Sequence, residues 1–209
     1  LTTANGLTRF LALAAQLKRV RRQGWLDRGV FDPESAADHS WAVALLAWLA
    51  AAGRDDLDRD RVLLLGLVHD LPEAVAGDAT PFDHLRDPDG VVPPERFVDA
   101  PTYSAVLRRE KQLRERAALD AMTDGLTPDL AAELREAWEE YEAGETVEAR
   151  FVRQVDKLET LLQATLYQAE QPELVIESFR RGAHRDITDP LLRELLDELD
   201  TPDPPSSHR

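Results

Sequence analysis

Residues 62–78 read Val62-Leu63-Leu64-Leu65-Gly66-Leu67-Val68-His69-Asp70-Leu71-Pro72-Glu73-Ala74-Val75-Ala76-Gly77-Asp78, and this stretch decides how the rest is read. The apolar run 62–67 predicts a buried helix, unbroken over 61–71, that carries His69 and Asp70 into the interior. A buried charge is costly unless a partner or a metal offsets it, so this pair suits a plain core badly. Glu73 follows His69 by four residues and shares its face if the helix continues. Gly77 permits a turn that returns Asp78 to the same place. Three acids and an imidazole at one spot ask for a cation.

The 209 residues suffice for one good-sized core and are too few for two, so the chain reads as a single domain over 1–209. Its hydrophobic fraction of 43% suits a globular protein, and no run of about 18 apolar residues points to a membrane. Lys and Arg number 25 against 40 acids, a net charge of −15. Such a surface repels a phosphate backbone and argues against a nucleic-acid polymer as partner; a small anionic substrate needs a local basic pocket. The absence of cysteine removes disulfides and thiolate metal sites, leaves His and carboxylates as metal ligands, and fits a reducing cytoplasm. No secretory h-region is visible. The chain opens at Leu1 rather than Met, so a few residues are expected to precede it.

Working outward, residues 7–22 predict one amphipathic helix with Leu7, Phe10, Leu11, Leu17 and Val20 at helical spacing. Its basic end, Lys18 to Arg22, is read equally well as a complement to the helix dipole. Ser35 or Asp38 is the expected cap of a helix starting near His39. The almost wholly apolar residues 40–52 mark that helix as buried. Residues 79–101 carry Pro81, Pro88, Pro93, Pro94 and Pro101, which forbid a long helix and predict an irregular loop beside the presumed site. Helices follow over 103–122, 128–141, 146–170 and 190–199, with a frayed tail over 202–209. No strand signal and no repeat is present. The class is all-α.

The chemistry-bearing residues lie on three of these helices. His39 opens one, His69 and Asp70 end the next, and Asp156 sits on the apolar face of a third. Two imidazoles and two carboxylates form a nitrogen-and-oxygen set suited to Mn²⁺, Co²⁺, Fe²⁺, Ni²⁺ or Zn²⁺. Each has a plainer reading alone; Asp156, for instance, is within reach of Lys157 or Arg153 as half of a structural salt bridge.

The order His39, His69-Asp70, Asp156 resembles the HD-domain superfamily of metal-dependent phosphohydrolases, whose fold is a helical bundle. Five segments carry a closer resemblance: Leu17-Lys18-Arg19 with Gly24-Trp25, Pro33-Glu34-Ser35 with Asp38-His39, the 67–78 stretch, Trp138-Glu139-Glu140-Tyr141-Glu142, and Phe151-Val152-Arg153-Gln154-Val155-Asp156-Lys157. These are similar to the HD-domain 5′-deoxynucleotidases over residues 7–170. The resemblance implies one divalent cation held by His39, His69, Asp70 and Asp156, hydrolysis of deoxyribonucleoside 5′-monophosphates, and a homodimer. It implies that Glu73 orients or deprotonates the attacking water, and that Asp78 protonates the leaving 5′-oxygen or contacts the 3′-hydroxyl. Arg22 matches the family's phosphate-contacting arginine, and Trp25 the aromatic near the sugar, with an ordinary core tryptophan as the alternative. The proline-rich stretch departs from the family pattern and leaves substrate preference open.

Two rivals stand beside this reading. Another HD hydrolase reaction is one, but a dinuclear centre would need more histidines than His84, which alone lies between Asp70 and Asp156. A non-catalytic nucleotide-binding module is the other, and Glu73 with Asp78 argues against it.

Overall fold

The computed structural model describes residues 3–99 and 103–200; the tail expected to fray lies outside them. Among the described residues there are ten α-helices and no strand, only an isolated bridge between Arg21 and Ser35. No helix among them is long and apolar enough to cross a membrane.

Three helices form the centre: α3 (Ala36–Ala50), α4 (Arg59–Val68) and α8 (Val147–Glu170), each packed on the other two. Ser35 starts α3 with a capping box: Asp38 N–H donates to Ser35 Oγ at 3.2 Å, and Ser35 N–H donates to Asp38 Oδ2 at 2.9 Å. This start leaves His39 in the first turn, 1% exposed. Asp58 caps α4 and Thr146 caps α8 through side-chain oxygens. Gly66 lets α4 lie against α3. A Cβ at Gly66 would stand 2.7 Å from Ala44 Cα, far inside van der Waals contact.

The other helices close around this centre. They are α1 (Ala4–Ala14), α2 (Gln23–Leu26), α5 (Glu73–Ala76), α6 (Ala105–Thr123), α7 (Pro128–Ala143), α9 (Glu177–Asp186) and α10 (Pro190–Asp200). One main apolar cluster runs from Trp25 through Val43, Leu65, Trp138, Val155 and Ile176 to Leu196.

Several expectations need correction. The helix predicted over 61–71 ends at Val68, because Pro72 lacks an N–H and disfavours helical geometry at Leu71. Glu73 therefore opens a separate turn, α5, instead of sharing a helix with His69. The single helix expected over 7–22 breaks into α1, a 3-10 turn (Ala15–Arg19) and extended Val20, where the chain pairs with the segment before α3. The basic run thus does not end a long helix; Arg22 precedes α2 and turns inward. The helix read as buried throughout keeps one bare face, with Trp41 64%, Leu45 39% and Leu49 54% exposed. An all-round apolar composition hides which face is covered, and small Val43, Ala44 and Ala47 are the ones that pack.

The proline-rich segment is more ordered than a plain loop. It holds two 3-10 turns, Asp83–Leu85 and Pro94–Val98, over a small cluster of Phe82, Val92 and Phe97. The Arg28 guanidinium fastens it, lying 4.2 Å from the Phe97 ring and 4.1 Å from Phe179, and Arg86 pairs with buried Asp27 at 2.8 Å. Helix α9 was not anticipated: its sequence is polar and contains Gly182, so its apolar stripe is thin.

Gly66→Ala should strain the α3–α4 crossing by ~2 kcal/mol. The melting temperature should then fall by about 4–8 °C for a chain of this size. A thermal melt equal to that of the unsubstituted protein would show that the crossing has slack.

Candidate active site

The start of α3, the end of α4 and the middle of α8 meet at one point. His39 Nε2 lies 3.1 Å from Asp156 Oδ1 and 3.8 Å from Asp70 Oδ2; His69 Nε2 lies 3.3 Å from the same Asp70 oxygen. The two imidazole centroids are 5.3 Å apart. The structure thus brings His39, His69, Asp70 and Asp156 together. Asp156 does not form the salt bridge considered for it: Lys157 pairs with Asp186 at 3.2 Å, and Arg153 donates to the carbonyls of Tyr141 and Glu142.

An outer ring of hydrogen bonds orients this group. His39 Nδ1 contacts Glu159 Oε2 at 2.6 Å, and His69 Nδ1 contacts the Gly66 carbonyl at 2.8 Å. A carbonyl only accepts, so Nδ1 of His69 carries a proton, and in the neutral ring Nε2 presents a lone pair. That Nε2 is buried without a hydrogen-bond partner and faces a carboxylate oxygen. Two acceptors held face to face require a cation between them or a proton. The donor set, with His39, His69 and Asp70 ligand atoms all within 4.8 Å of one another, fits a divalent metal ion. The Tyr141 hydroxyl donates to Asp156 Oδ2 at 3.0 Å, and its ring packs 5.0 Å from His69.

Burial alone would lift the Asp70 and Asp156 carboxyls, yet His69, His39 and Arg22 hold both well below the usual carboxylate range. Burial and Arg22 oppose charge on His39, but its hydrogen bonds to Asp156 and Glu159 raise its pKa to about 9.

Beside this centre lies a cavity of about 390 Å³, with Arg22, Trp25, Asp70, Glu73, Asp78 and Asp156 in its wall. Arg22 Nη1 stands 3.5 Å from Asp70 and its Nε 3.8 Å from Asp78; burial opposes its charge, and these acids keep it ionised. Glu73 is 4% exposed, with Oε2 buried and unpartnered. Burial, and then Asp70 and Asp78, push its pKa well above normal. Gly77, at φ +77°, turns the chain so that Asp78 Oδ2 accepts the Gln23 N–H at 2.6 Å, and burial raises the Asp78 pKa as well. Trp25 is 1% exposed: its indole N–H donates to Glu34 at 2.9 Å, and its ring packs on Tyr167 and Phe179. It is a core residue that also edges the cavity. Of the remaining histidines in the described residues, His84 is exposed and His184 pairs with Asp200 at 2.5 Å, both outside this group.

Sequence reasoning passed over four residues here. Glu159 sits three residues after Asp156, and a second acid on one apolar stripe was a readable signal. Tyr141 lies in the 138–142 stretch, where neighbouring residues give no sign that its hydroxyl reaches Asp156. Lys111, paired with buried Glu115 at 2.5 Å, reaches the cavity from the heavily charged α6, where nothing set it apart. Phe179 lies on the unanticipated α9.

A family model described as "HD domain" matches residues 14–194. The mouse protein named 5′-deoxynucleotidase HDDC2 is 38% identical over 198 residues, covering 94% of this chain and 87% of the mouse protein. The human protein of the same name is 36% identical, covering 94% of this chain and 86% of its own length. Among solved structures, a conserved hypothetical protein from Pyrococcus furiosus superposes with a TM-score of 0.66 at 28% identity, covering 91% of this chain and 96% of that one. One described as a predicted metal-dependent phosphohydrolase, from Magnetospirillum magnetotacticum, gives 0.63 at 26% identity over 95% of this chain and 93% of its own.

Tyr141→Phe removes one hydroxyl and takes from Asp156 Oδ2 the hydrogen bond that Tyr141 donates. Loss of an outer hydrogen bond of this kind typically weakens metal binding about 10–100-fold. Titration calorimetry with Mn²⁺ should show a drop of that size at an unchanged apo melting temperature. Equal affinity in the two proteins would remove Tyr141 from the metal-holding group.

Proposed function

Because this chain belongs to the HD-domain family, and within it groups with the 5′-deoxynucleotidase HDDC2 proteins, we propose that it is a metal-dependent phosphomonoesterase. Its substrates are deoxyribonucleoside 5′-monophosphates, hydrolysed to deoxynucleoside and phosphate. The observation that carries this reading is the orphaned His69 Nε2, buried against an Asp70 oxygen beside His39 and Asp156. In it, His39, His69, Asp70 and Asp156 hold one divalent cation: Mn²⁺, Co²⁺, Fe²⁺, Ni²⁺ or Zn²⁺ by donor type. When bound, such an ion supplies Lewis-acid polarisation of a phosphoryl oxygen and acidifies water.

The remaining duties fall to the chain's own side chains. Hydrolysis breaks the bond between phosphorus and the 5′-oxygen and forms one from phosphorus to the water oxygen. One proton leaves the water and one reaches the 5′-oxygen. Arg22, whose Nη1 is buried without a hydrogen-bond partner, donates to the phosphate and balances its charge. Glu73 accepts the proton from water; its unpartnered Oε2 and raised proton affinity suit a general base. Asp78, steadied by the Gln23 N–H, donates to the 5′-oxygen or holds the 3′-hydroxyl. Trp25 presents an aromatic edge to the sugar, a steric device against a 2′-hydroxyl.

The protein acts as a homodimer in this reading. Trp41, Leu45 and Leu49 recur every four residues along α3 and leave an apolar stripe in water, the kind of surface that drives association. Light scattering should give twice the chain mass, and the mass of one chain would remove the dimer.

Glu73→Gln should keep its metal and lose turnover by about 10²–10⁴-fold, the usual contribution of a general base. The assay is phosphate release from a panel of deoxyribo- and ribonucleoside 5′-monophosphates. Undiminished turnover would remove Glu73 from the chemistry. Failure of the unsubstituted, metal-loaded protein on every nucleotide would remove the phosphomonoesterase itself.

A further inference from the structure

The space around Arg22 does not end with the main cavity. A second lobe of about 200 Å³ adjoins it, and Arg22, Asp156 and Lys157 belong to the walls of both. The far side of the lobe is α9, which contributes Gly182 and Arg185. Three cationic side chains therefore face one small space in a chain of net charge −15.

The acids nearby leave donors to spare. Asp156 is engaged through both oxygens, by His39 and Tyr141. Asp186 takes Lys157 at 3.2 Å and the Nε and Nη2 of Arg185 at 2.8 and 2.9 Å; Arg185 Nη1 is not part of that pair. Arg22, at the junction of the two spaces, serves the nucleotide's phosphate, so the lobe's own donors are Lys157 and Arg185. Glycine is a poor choice inside a helix, and at Gly182 no contact demands it: a Cβ built there meets nothing within 4 Å, so the wall has room for a side chain.

We propose that this lobe binds inorganic phosphate, the product of the reaction, while a nucleotide occupies the main cavity; the inference rests on the phosphomonoesterase reading above. Ammonium and guanidinium groups only donate, so they select an oxyanion over a neutral ligand. The lobe is smaller than the roughly 300–1,000 Å³ of sites for larger organic ligands, and so admits a phosphate ion but not a second nucleotide. Its wall shares Arg22, Asp156, Lys157, Thr160 and Phe179 with the main cavity, but not Pro81, Phe82 or Tyr103.

Calorimetry of inorganic phosphate into the metal-loaded protein tests this directly. The unsubstituted protein should bind two phosphates. Gly182→Leu, which fills the lobe and improves helix propensity, should bind one. In steady-state assays phosphate should inhibit in a mixed manner, acting on nucleotide-bound enzyme as well as competing with substrate. Arg185→Gln should raise the constant for the nucleotide-bound form about tenfold, the loss expected of one charge-assisted hydrogen bond, with kcat and KM within about twofold. One phosphate site in both proteins overturns the lobe, and so does purely competitive inhibition. A parallel rise in KM in either variant overturns it too, since the lobe would then hold substrate. Two phosphate sites without turnover of any nucleotide would leave the lobe standing and overturn the phosphomonoesterase reading instead.

Discussion

Where α3 crosses α4, the two backbones touch, and any side chain at Gly66 would be driven into Ala44 Cα. Ala44 lies five residues beyond His39, and Gly66 three before His69, so this crossing sets how far apart the two imidazoles stand. The same glycine lends its carbonyl to His69 Nδ1, which fixes the ring's tautomer as well as its place. A bulkier crossing, typical of helices 8–10 Å apart, would separate the rings and leave each a solitary buried polar group. Close packing here serves the chemistry first, and stability is a second result of the same contact.

The charges of the site are arranged around that crossing in a graded way. Asp70 and Asp156, against the imidazoles and Arg22, are held firmly ionised. Glu73 and Asp78, also in the cavity wall, are shifted in the opposite direction by burial and by their acidic neighbours. Like residues with unlike proton affinities within one cavity divide naturally between binding a cation and moving a proton. Arg22 touches both sets and carries the positive charge that allows so many acids to share a buried space.

Much of this was legible in the chain because it rests on local signals. The cap at Ser35 and the long stripe of α8 are written in a few adjacent residues. So is the conflict of His69 and Asp70 ending an apolar run. Pro72 was equally local, yet the apolar run before it suggested continuation where the ring forbade it. What stayed hidden depends on partners far away in sequence. Nothing near Trp41 says that its side of α3 faces water, because that is decided by which helices cover the other side. Glu159 gains its meaning from His39, 120 residues earlier. The thin stripe of α9 becomes a helix only when the core receives Ala183 and Ile187.

Arg28, held among the rings of Phe82, Phe97 and Phe179, ties residues 79–99 to α2 and α9, and their own small cluster stays apart from the main one. The mouth of the cavity and its hydrolytic floor are thus fastened by different bolts. A lineage of such proteins can lengthen, shorten or rewrite this strap, changing which molecules are admitted, while the machinery that cuts the ester is left as it was.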